Sequence, residues 1–331
     1  MKIGPLDLGA RPLLLAPMED VTDVSFRILC REQGADMVYP EVVNSDGLIR
    51  DVPKTIAKMH TLEEEAPVGI QIYGQHPDAM VEAARMAEKA AELAGGHGAD
   101  LVDINFGCPV SKIAGRGAGS GMMREPDKMV AITKAVVEAV KKPVTVKTRL
   151  GWDDNSKIIV ELAERLQDAG IAALTIHGRT RCQLYKGAAD WSLIGAVKAN
   201  PRMHIPIIGN GDITDGPSAR EAFERYGVDA IMIGRATFGH PWIFREIRYY
   251  LEHGEPMPSL TVAERVALAR RHLALSLQYK GEPRGIYEMR RHLSCYFKGL
   301  PDFKETRMRM VTTLDVAELY DILDTIETRY D

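Results

Sequence analysis

Short apolar runs alternate with amphipathic stretches along most of the chain. Eight of the runs have the length and β-branched character of buried strands, and each is followed by residues whose apolar positions recur at helical spacing. The predicted strands are Leu13–Met18, Met37–Val43, Val68–Tyr73, Leu101–Phe106, Pro143–Arg149, Ala173–His177, Ile205–Gly209 and Ala230–Ile233. This eightfold alternation predicts an α/β fold, a (β/α)8 TIM barrel.

Local signals mark several of the intervening helices. Pro77 and Pro126 each open an amphipathic stretch, and Ser156 and Gly170 bracket another as an expected N-cap and C-terminal glycine. The first predicted strand ends in Ala-Pro-Met rather than in a glycine-rich turn. A doubly wound dinucleotide-binding sheet is therefore disfavoured.

The pattern changes after residue 253. Gly254–Ser259 contains two prolines and predicts a linker, and Thr261 with Glu264 forms a capping-box pattern for a new helix. From there we expect only helices, over Val262–Lys280, Ile286–Phe297, a short segment around Glu305, and Val316–Arg329. The expected organisation is a barrel domain over residues 1–253 and a smaller all-helical domain over residues 254–331.

Composition narrows the class of protein only modestly. The chain has 331 residues, 45% of them hydrophobic, and a formal net charge of -4, so a uniformly basic surface for nucleic acid is excluded, although a local patch is not. The cysteines are Cys30, Cys108, Cys182 and Cys295, with no metal-ligand spacing. We expect a reduced, cytoplasmic protein with no metal, no membrane segment and no obligate protein partner.

Polar residues cluster where the predicted strands end, which is where catalytic groups sit in such barrels. These are Gln71, Asn105, Cys108, Lys147, Arg149, His177, Arg179, Asn210, Gly211, Asp212, Gly234 and Arg235. Asp103 and Asn105 lie within a core-like strand that ends at Cys108-Pro109, with Lys112 just beyond. Most free cysteines are small buried hydrophobes, but this setting favours a functional thiol. The glycines around Asn210 and Arg235 suit a phosphate group.

Lys147 stands in an otherwise apolar strand, where an ammonium needs a partner. Two functions would use it: a Schiff base with a carbonyl substrate, or a fixed cation beside the N1/O2 edge of a reduced flavin. His177 and Arg179 face the same side of their strand and together indicate an anionic or nucleotide ligand.

An ordered set of motifs resembles the tRNA-dihydrouridine synthase family, most closely its bacterial, DusB-like branch. The matching stretches are Ala16-Pro17-Met18, Val21-Thr22-Asp23, Gln71-Ile72-Tyr73-Gly74, Asn105-Phe106-Gly107-Cys108-Pro109, Val146-Lys147-Thr148-Arg149-Leu150-Gly151, His177-Gly178-Arg179-Thr180, Gly209-Asn210-Gly211-Asp212 and Gly234-Arg235. The Asn-x-Gly-Cys-Pro element is the most discriminating. Glu19-Asp20 departs from the Ala-Gly that members often carry, so the loop beside the flavin is expected to differ in charge and stiffness.

The resemblance implies an FMN enzyme that takes hydride from NADPH and delivers it to C6 of a tRNA uridine, with Cys108 protonating C5. It further implies that flavin contacts come from Ala16, Pro17, Met18, Gln71, Lys147, His177, Asn210, Gly211, Asp212, Gly234 and Arg235. Asn105 would hold the uracil, with Lys112, Arg149 and Arg179 as further candidates for substrate contacts. The implied cofactors are FMN and NADPH, and the implied partner is tRNA.

Two other classes of function fit the same residues. One is a flavin barrel acting on a small pyrimidine, for which the appended helices would be superfluous. The other comprises a flavin-free lyase using Lys147 and a tRNA-binding module without catalysis. Between Arg265 and Arg309 basic residues outnumber acidic ones by eleven to four, which predicts a tRNA phosphate-binding patch that includes Arg290 and Arg291.

Overall fold

The computed structural model describes residues 1–331 and contains one large parallel sheet. A two-stranded antiparallel ribbon, β1 (Lys2–Ile3) and β2 (Leu6–Asp7), precedes it. The sheet strands are β3 (Leu13–Leu15), β4 (Val43–Asn44), β5 (Gly69–Tyr73), β6 (Leu101–Phe106), β7 (Val144–Arg149), β8 (Ala173–His177), β9 (Ile207–Asn210) and β10 (Ala230–Ile233). Their spatial order is β3-β10-β9-β8-β7-β6-β5-β4. The predicted α/β barrel is confirmed.

The ring closes through a segment that lies mostly outside regular strands. Met37 bridges to Leu14 and Val38 bridges to Val68, so this segment joins β3 to β5. The prediction of one strand over Met37–Val43 was wrong in extent. Pro40 interrupts it, since proline has no N–H to donate to a ladder, and regular pairing resumes only at β4.

Helices cover the outside of the sheet and form the whole C-terminal region. They are α1 (Val24–Glu32), α2 (Ser45–Leu48), α3 (Pro53–Ala57), α4 (Pro77–Glu88), α5 (Ala90–Ala94), α6 (Ser111–Ala114), α7 (Pro126–Ala139), α8 (Ile159–Asp168), α9 (Ser192–Ala199), α10 (Gly216–Arg225), α11 (Ile243–His253), α12 (Val262–Lys280), α13 (Arg284–Tyr296), α14 (Lys304–Thr312) and α15 (Val316–Tyr330). Short 3-10 turns cover Glu63–Glu65, Gly119–Arg124 and Arg235–Thr237. None of the helices is long and apolar enough to cross a membrane.

Most predicted helix signals hold, and one fails. Pro77 and Pro126 begin α4 and α7, and the Thr261–Glu264 capping box opens α12 with both reciprocal hydrogen bonds present. Ser156 is not an N-cap, because its hydroxyl donates to Asp153 in the preceding turn and α8 starts only at Ile159. Serine side chains often form hydrogen bonds within a turn, and such a side chain does not cap the helix that follows.

Two main hydrophobic cores correspond to the barrel and to the C-terminal helices. The larger core lies between the sheet and its helices, and the smaller one is formed mainly by α12, α13 and α15. Residues 254–260 form no regular element between α11 and α12. α1 of the barrel packs on α12, where the Phe26 ring lies against His272 and His292, and Lys280 pairs with Asp23. This contact anchors the helical region beside the loop that follows β3.

Candidate active site at the barrel mouth

A large cavity lies at the carboxyl ends of the parallel strands. Its volume is about 670 Å³, within the range of pockets that enclose a cofactor-sized molecule. Of the predicted site residues it is lined by Ala16, Pro17, Met18, Gln71, Asn105, Cys108, Lys147, Arg149, His177, Asn210, Gly211, Asp212, Gly234, Arg235 and Arg291. The strand ends therefore converge as predicted, and Arg291 reaches the same cavity from α13.

Cys108 lies half-buried in the turn that follows β6. Its backbone N–H donates to the Asn105 side-chain oxygen at 2.8 Å, and its carbonyl accepts from the Ser120 hydroxyl at 2.7 Å. Gly119 packs so closely that a Cβ there would meet the Cys108 Cβ at 3.1 Å, and its φ of +54° favours glycine as well. Burial raises the pKa of the Cys108 thiol, so the group stays protonated at neutral pH.

Lys147 points into the cavity from the middle of β7 and makes no ion pair or hydrogen bond with the protein. Burial is the main cause that lowers its pKa to about 8, and the positive charge of Arg149 adds to the effect. A partly buried ammonium without an ion-pair partner is costly, and a bound electron-rich or anionic group would stabilise it. The lysine is consistent with either of the two functions that the sequence left open.

Arg149 is held by three backbone carbonyls. Its Nε donates to Gly107 at 2.7 Å, and one Nη donates to Thr180 and to Leu184, each at 2.9 Å. The side chain thus joins the turn that carries Cys108 to the loop after β8. Burial lowers its pKa to about 10, which still leaves it charged at neutral pH.

His177 lines the cavity as a neutral imidazole. Burial lowers its pKa well below the usual value, and the charges of Arg149 and Lys147 act in the same direction. An imidazole in this state can donate or accept a hydrogen bond but adds no charge.

Of the substrate residues predicted in the barrel domain, two lie outside the cavity lining. The guanidinium of Arg179 is buried behind the mouth, where it pairs with Asp212 at 2.7 Å and donates to the carbonyl of Gly187. Lys112 is exposed on α6. Their roles as substrate contacts stay predictions, and the geometry gives Arg179 the additional task of holding Asp212.

The two arginines predicted on the helical patch diverge. Arg291 lines the cavity and lies over the Phe238 ring, with 5.8 Å to the ring centroid. Arg290 does not line the cavity; it stacks on Tyr287 at 4.7 Å and donates to the Thr312 carbonyl at 3.1 Å. Of these two arginines, only Arg291 reaches the cavity at the barrel mouth.

Tyr185 is a cavity residue that the sequence reasoning missed. It is 51% exposed, and its ring lies under the guanidinium of Arg235 at 4.6 Å and near that of Arg149 at 5.6 Å. Its loop, residues 181–190, belongs to no helix or strand, so periodicity gave no signal there. The only available sequence signal was an aromatic residue between basic ones, just beyond a predicted strand end.

The Glu19-Asp20 departure lies at the rim of this cavity. Glu19 lines it and pairs with Lys58, and the Asp20 N–H donates to Glu41 at 2.7 Å. Asp20 has a φ of +56°, the left-handed conformation that glycine adopts without strain. The carboxylates of Glu19, Asp20 and Glu41 lie close enough together to hold a metal ion, but exposed acidic groups are common without one.

A barrel whose mouth gathers a protonated thiol, an unpaired lysine and several arginines defines an enzyme that acts on an electron-rich or anionic ligand. The chain belongs to the dihydrouridine synthase family, because the model "Dihydrouridine synthase (Dus)" matches residues 14–329. It is an oxidoreductase, as the sequence predicted.

Three curated relatives support this assignment over nearly the whole chain. "Probable tRNA-dihydrouridine synthase" of Rickettsia conorii is 40% identical over 93% of this chain and 90% of its own length. "Probable tRNA-dihydrouridine synthase 1" of Synechocystis sp. is 42% identical over 98% of this chain and 88% of its own. "tRNA-dihydrouridine synthase B" of Pseudomonas aeruginosa is 42% identical over 93% and 90%.

Solved structures with similar folds are far more distant in sequence. A morphinone reductase mutant in complex with tetrahydroNAD aligns with a TM-score of 0.50 and 14% identity, covering 75% of this chain and 89% of that one. Histamine dehydrogenase from Rhizobium sp. 4-9 aligns with a TM-score of 0.53 and 12% identity, covering 82% and 50%. At this identity the likeness supports the fold and nothing finer.

Proposed function

We propose that this protein is a flavin-dependent tRNA-dihydrouridine synthase that reduces the C5–C6 double bond of tRNA uridines with NADPH through FMN. The observation that carries the proposal is the protonated thiol of Cys108 sharing one cavity with the unpaired ammonium of Lys147. Family membership and the names of the relatives agree with it.

The cavity has the donors and the space that an FMN group needs. Lys147 offers a cation without a protein partner, suited to the electron-rich N1/O2 edge of the ring. Arg235 is half-exposed at the start of a turn beside Gly234, suited to the phosphate. Further contacts are proposed for Ala16, Pro17, Met18, Gln71, His177, Asn210, Gly211 and Asp212. When bound, FMN supplies the hydride, taken from NADPH, that adds to C6 of the uridine.

Cys108 supplies the second hydrogen. Its S–H bond breaks as the new C–H bond forms at C5, and the resulting thiolate recovers a proton from solvent. The raised thiol pKa keeps the proton in place until the carbon becomes basic enough to take it. The nearby charges of Arg149 and Lys147 stabilise the thiolate that remains.

We further propose that residues 1–253 form the catalytic domain and residues 254–331 a helical tRNA-binding domain. The separate cores support this division, and Arg291 of α13 at the cavity mouth provides a contact between bound RNA and the catalytic pocket. RNA is recognised mainly through phosphates, shape and stacked bases, and Tyr185 offers an exposed ring for stacking at the mouth.

The decisive experiment separates the two half-reactions. With Cys108→Ala, NADPH should reduce the bound flavin at the wild-type rate, whereas dihydrouridine formation in tRNA, measured by mass spectrometry of digested nucleosides, should fall about 10²- to 10⁴-fold. The matched control is Cys182→Ala, which alters an exposed cysteine and should leave both rates unchanged.

Full activity of Cys108→Ala on tRNA would contradict the role of the thiol. Wild-type protein that carries no flavin would instead favour a Schiff-base reaction at Lys147. Reduction of free pyrimidines with no product in tRNA would favour a small-molecule flavin enzyme.

A further inference from the structure

Asp103 is a buried carboxylate that the proposed reaction does not use. It is 2% exposed in the centre of β6, where burial raises its pKa to about 6 against the opposing effects of two hydrogen bonds and the charge of Lys147. Its oxygens accept hydrogen bonds from two neutral side chains, Thr145 on β7 and Gln71 on β5, each at 2.5 Å. A carboxyl group in such a place is expensive, so its retention calls for a function.

The carboxylate is one end of a continuous chain of hydrogen bonds. Gln71 donates through Nε2 to Asp103 and accepts through Oε1 from the Asn105 amide at 2.8 Å. The Asn105 oxygen then accepts from the backbone N–H of Gly107 at 2.9 Å and of Cys108 at 2.8 Å. We call Asp103, Gln71 and Asn105 the amide relay.

The relay has only one consistent direction. Two backbone N–H groups at the Cys108 end can only donate, and the ionised carboxylate of Asp103 can only accept. If the Gln71 amide rotated, its NH2 group would face that of Asn105, and a buried donor would lose its partner. Asp103 therefore fixes the amide orientation of Gln71, which in turn reinforces the orientation of Asn105 that the two backbone N–H groups favour.

Asn105 can consequently offer only one kind of contact to the cavity that it lines. Its oxygen already accepts two hydrogen bonds, and one of its two N–H bonds goes to Gln71. The remaining N–H suits an acceptor such as the carbonyl oxygen of a uracil, and it does not suit the exocyclic amino group of a cytosine.

We propose that Asp103 is a positioning residue which, through Gln71 and Asn105, holds the turn that carries Cys108 and makes Asn105 a donor to a substrate carbonyl oxygen. This inference deepens the proposed function and rests on it for the identity of the substrate. Asp103 itself does not line the cavity.

A double-mutant cycle tests the direction of the relay. Asp103→Asn replaces an obligatory acceptor with an amide that can turn either its oxygen or its NH2 group toward Gln71, and Gln71→Glu places a second carboxylate against Asp103, so each single change should disturb the relay. Together they restore it, because Asn at 103 can donate to Glu at 71, whose other oxygen accepts from Asn105. Only a relay predicts that the double variant is better than either single one.

Two readouts are needed. With FMN saturating and tRNA varied, each single change should lower kcat for dihydrouridine formation about 10- to 100-fold, and the double variant should regain at least tenfold over the slower single one. In apoprotein the thermal midpoint should fall in both single variants and recover in the double variant. Thr145→Val is the matched control, since it removes one bond to Asp103 while leaving the relay intact, and it should retain kcat.

Wild-type kcat in Asp103→Asn, or a double variant no better than its slower parent, would overturn the inference. Thermal recovery without kinetic recovery would also overturn it, since Asp103 would then serve stability alone. If the wild-type protein forms no dihydrouridine, the proposed function fails. The thermal cycle in apoprotein would still confirm or contradict the relay.

Discussion

Cationic side chains cluster in two regions of this molecule, and the two clusters differ in how many of their charges are held in ion pairs. At the barrel mouth Lys147, Arg149, Arg235 and Arg291 line the cavity, whose only acidic lining residues are Glu19 and Asp212. In the helical region many basic residues are ion-paired: Arg270 with Asp324, Arg271 with Glu32, Lys280 with Asp23 and Glu288, Arg284 with Glu288, and Arg309 with Glu318. At the mouth only Arg235 is ion-paired, with Asp212 at 3.4 Å, whereas in the helices five of the eleven basic residues between Arg265 and Arg309 are held in ion pairs.

The comparison shows why a charge count along the chain overstates a binding patch. The excess between Arg265 and Arg309 omits Glu32, Asp23, Glu318 and Asp324, which come from elsewhere in the chain to neutralise it. Three of the six basic residues there without ion pairs, Lys298, Lys304 and Arg307, surround a second cavity of about 200 Å³ beside Phe297 and Phe303. A binding surface is better located by unpaired charge than by composition.

Among the cationic side chains, the largest effect is expected at the mouth, from Lys147→Met. Removing the ammonium while keeping an unbranched side chain should weaken FMN binding or slow flavin reduction by about tenfold or more. Fluorescence titration of apoprotein with FMN and stopped-flow reduction by NADPH measure the two quantities. Unchanged binding and unchanged reduction would remove Lys147 from the flavin site.

The lowered pKa of Lys147 predicts that FMN binding and folding stability both depend on pH. Burial holds the pKa of Lys147 at about 8, below the usual lysine value of 10.5, so the ammonium is lost as the pH rises through about 8. FMN affinity of the wild-type apoprotein should weaken over that range, whereas the affinity of Lys147→Met should not. The same pKa determines how stability depends on pH. Between about pH 8 and 10.5 the Lys147 side chain binds more protons in the unfolded state than in the folded state, so its contribution to the free energy of unfolding increases as the pH rises.

A smaller effect should separate unpaired from paired cations in the helical region. Replacing Lys298, Lys304 and Arg307 with Ala should weaken tRNA binding and flatten the dependence of log K on log salt, because each phosphate contact contributes roughly 0.7 to 0.9 to that slope. The matched control, Arg271→Ala with Arg284→Ala, removes cations already held by Glu32 and Glu288. Equal slopes in the two variants would contradict the comparison.

The smallest effect should distinguish two adjacent arginines. Arg291→Ala removes a cation from the cavity mouth and should raise the KM for tRNA, whereas Arg290→Ala removes a contact with the Thr312 carbonyl and should act mainly on stability. Steady-state kinetics and thermal denaturation of each variant give the two readouts. A larger KM effect from Arg290→Ala would place the RNA on the outer face of α13.

The sequence by itself determined the strand–helix alternation and the convergence of its polar strand ends. β6, β8, β10 and α12 have the predicted bounds, because a buried parallel strand or an amphipathic helix is specified by its own run of side chains. The ends of parallel strands must meet at one edge of the sheet, so the candidate site followed from the same pattern. The motif around Cys108 added the chemistry.

Only the tertiary structure decided which of these groups are free to act. Arg179 and Asp212 bind each other, Arg149 is held by three carbonyls, and Lys147 has no partner, although all four are polar residues at predicted strand ends. Tyr185 comes from a loop without periodicity, and the amide relay joins residues from neighbouring strands. Hydrogen bonds and ion pairs form between groups distant in sequence, and their partners exist only once the barrel has closed.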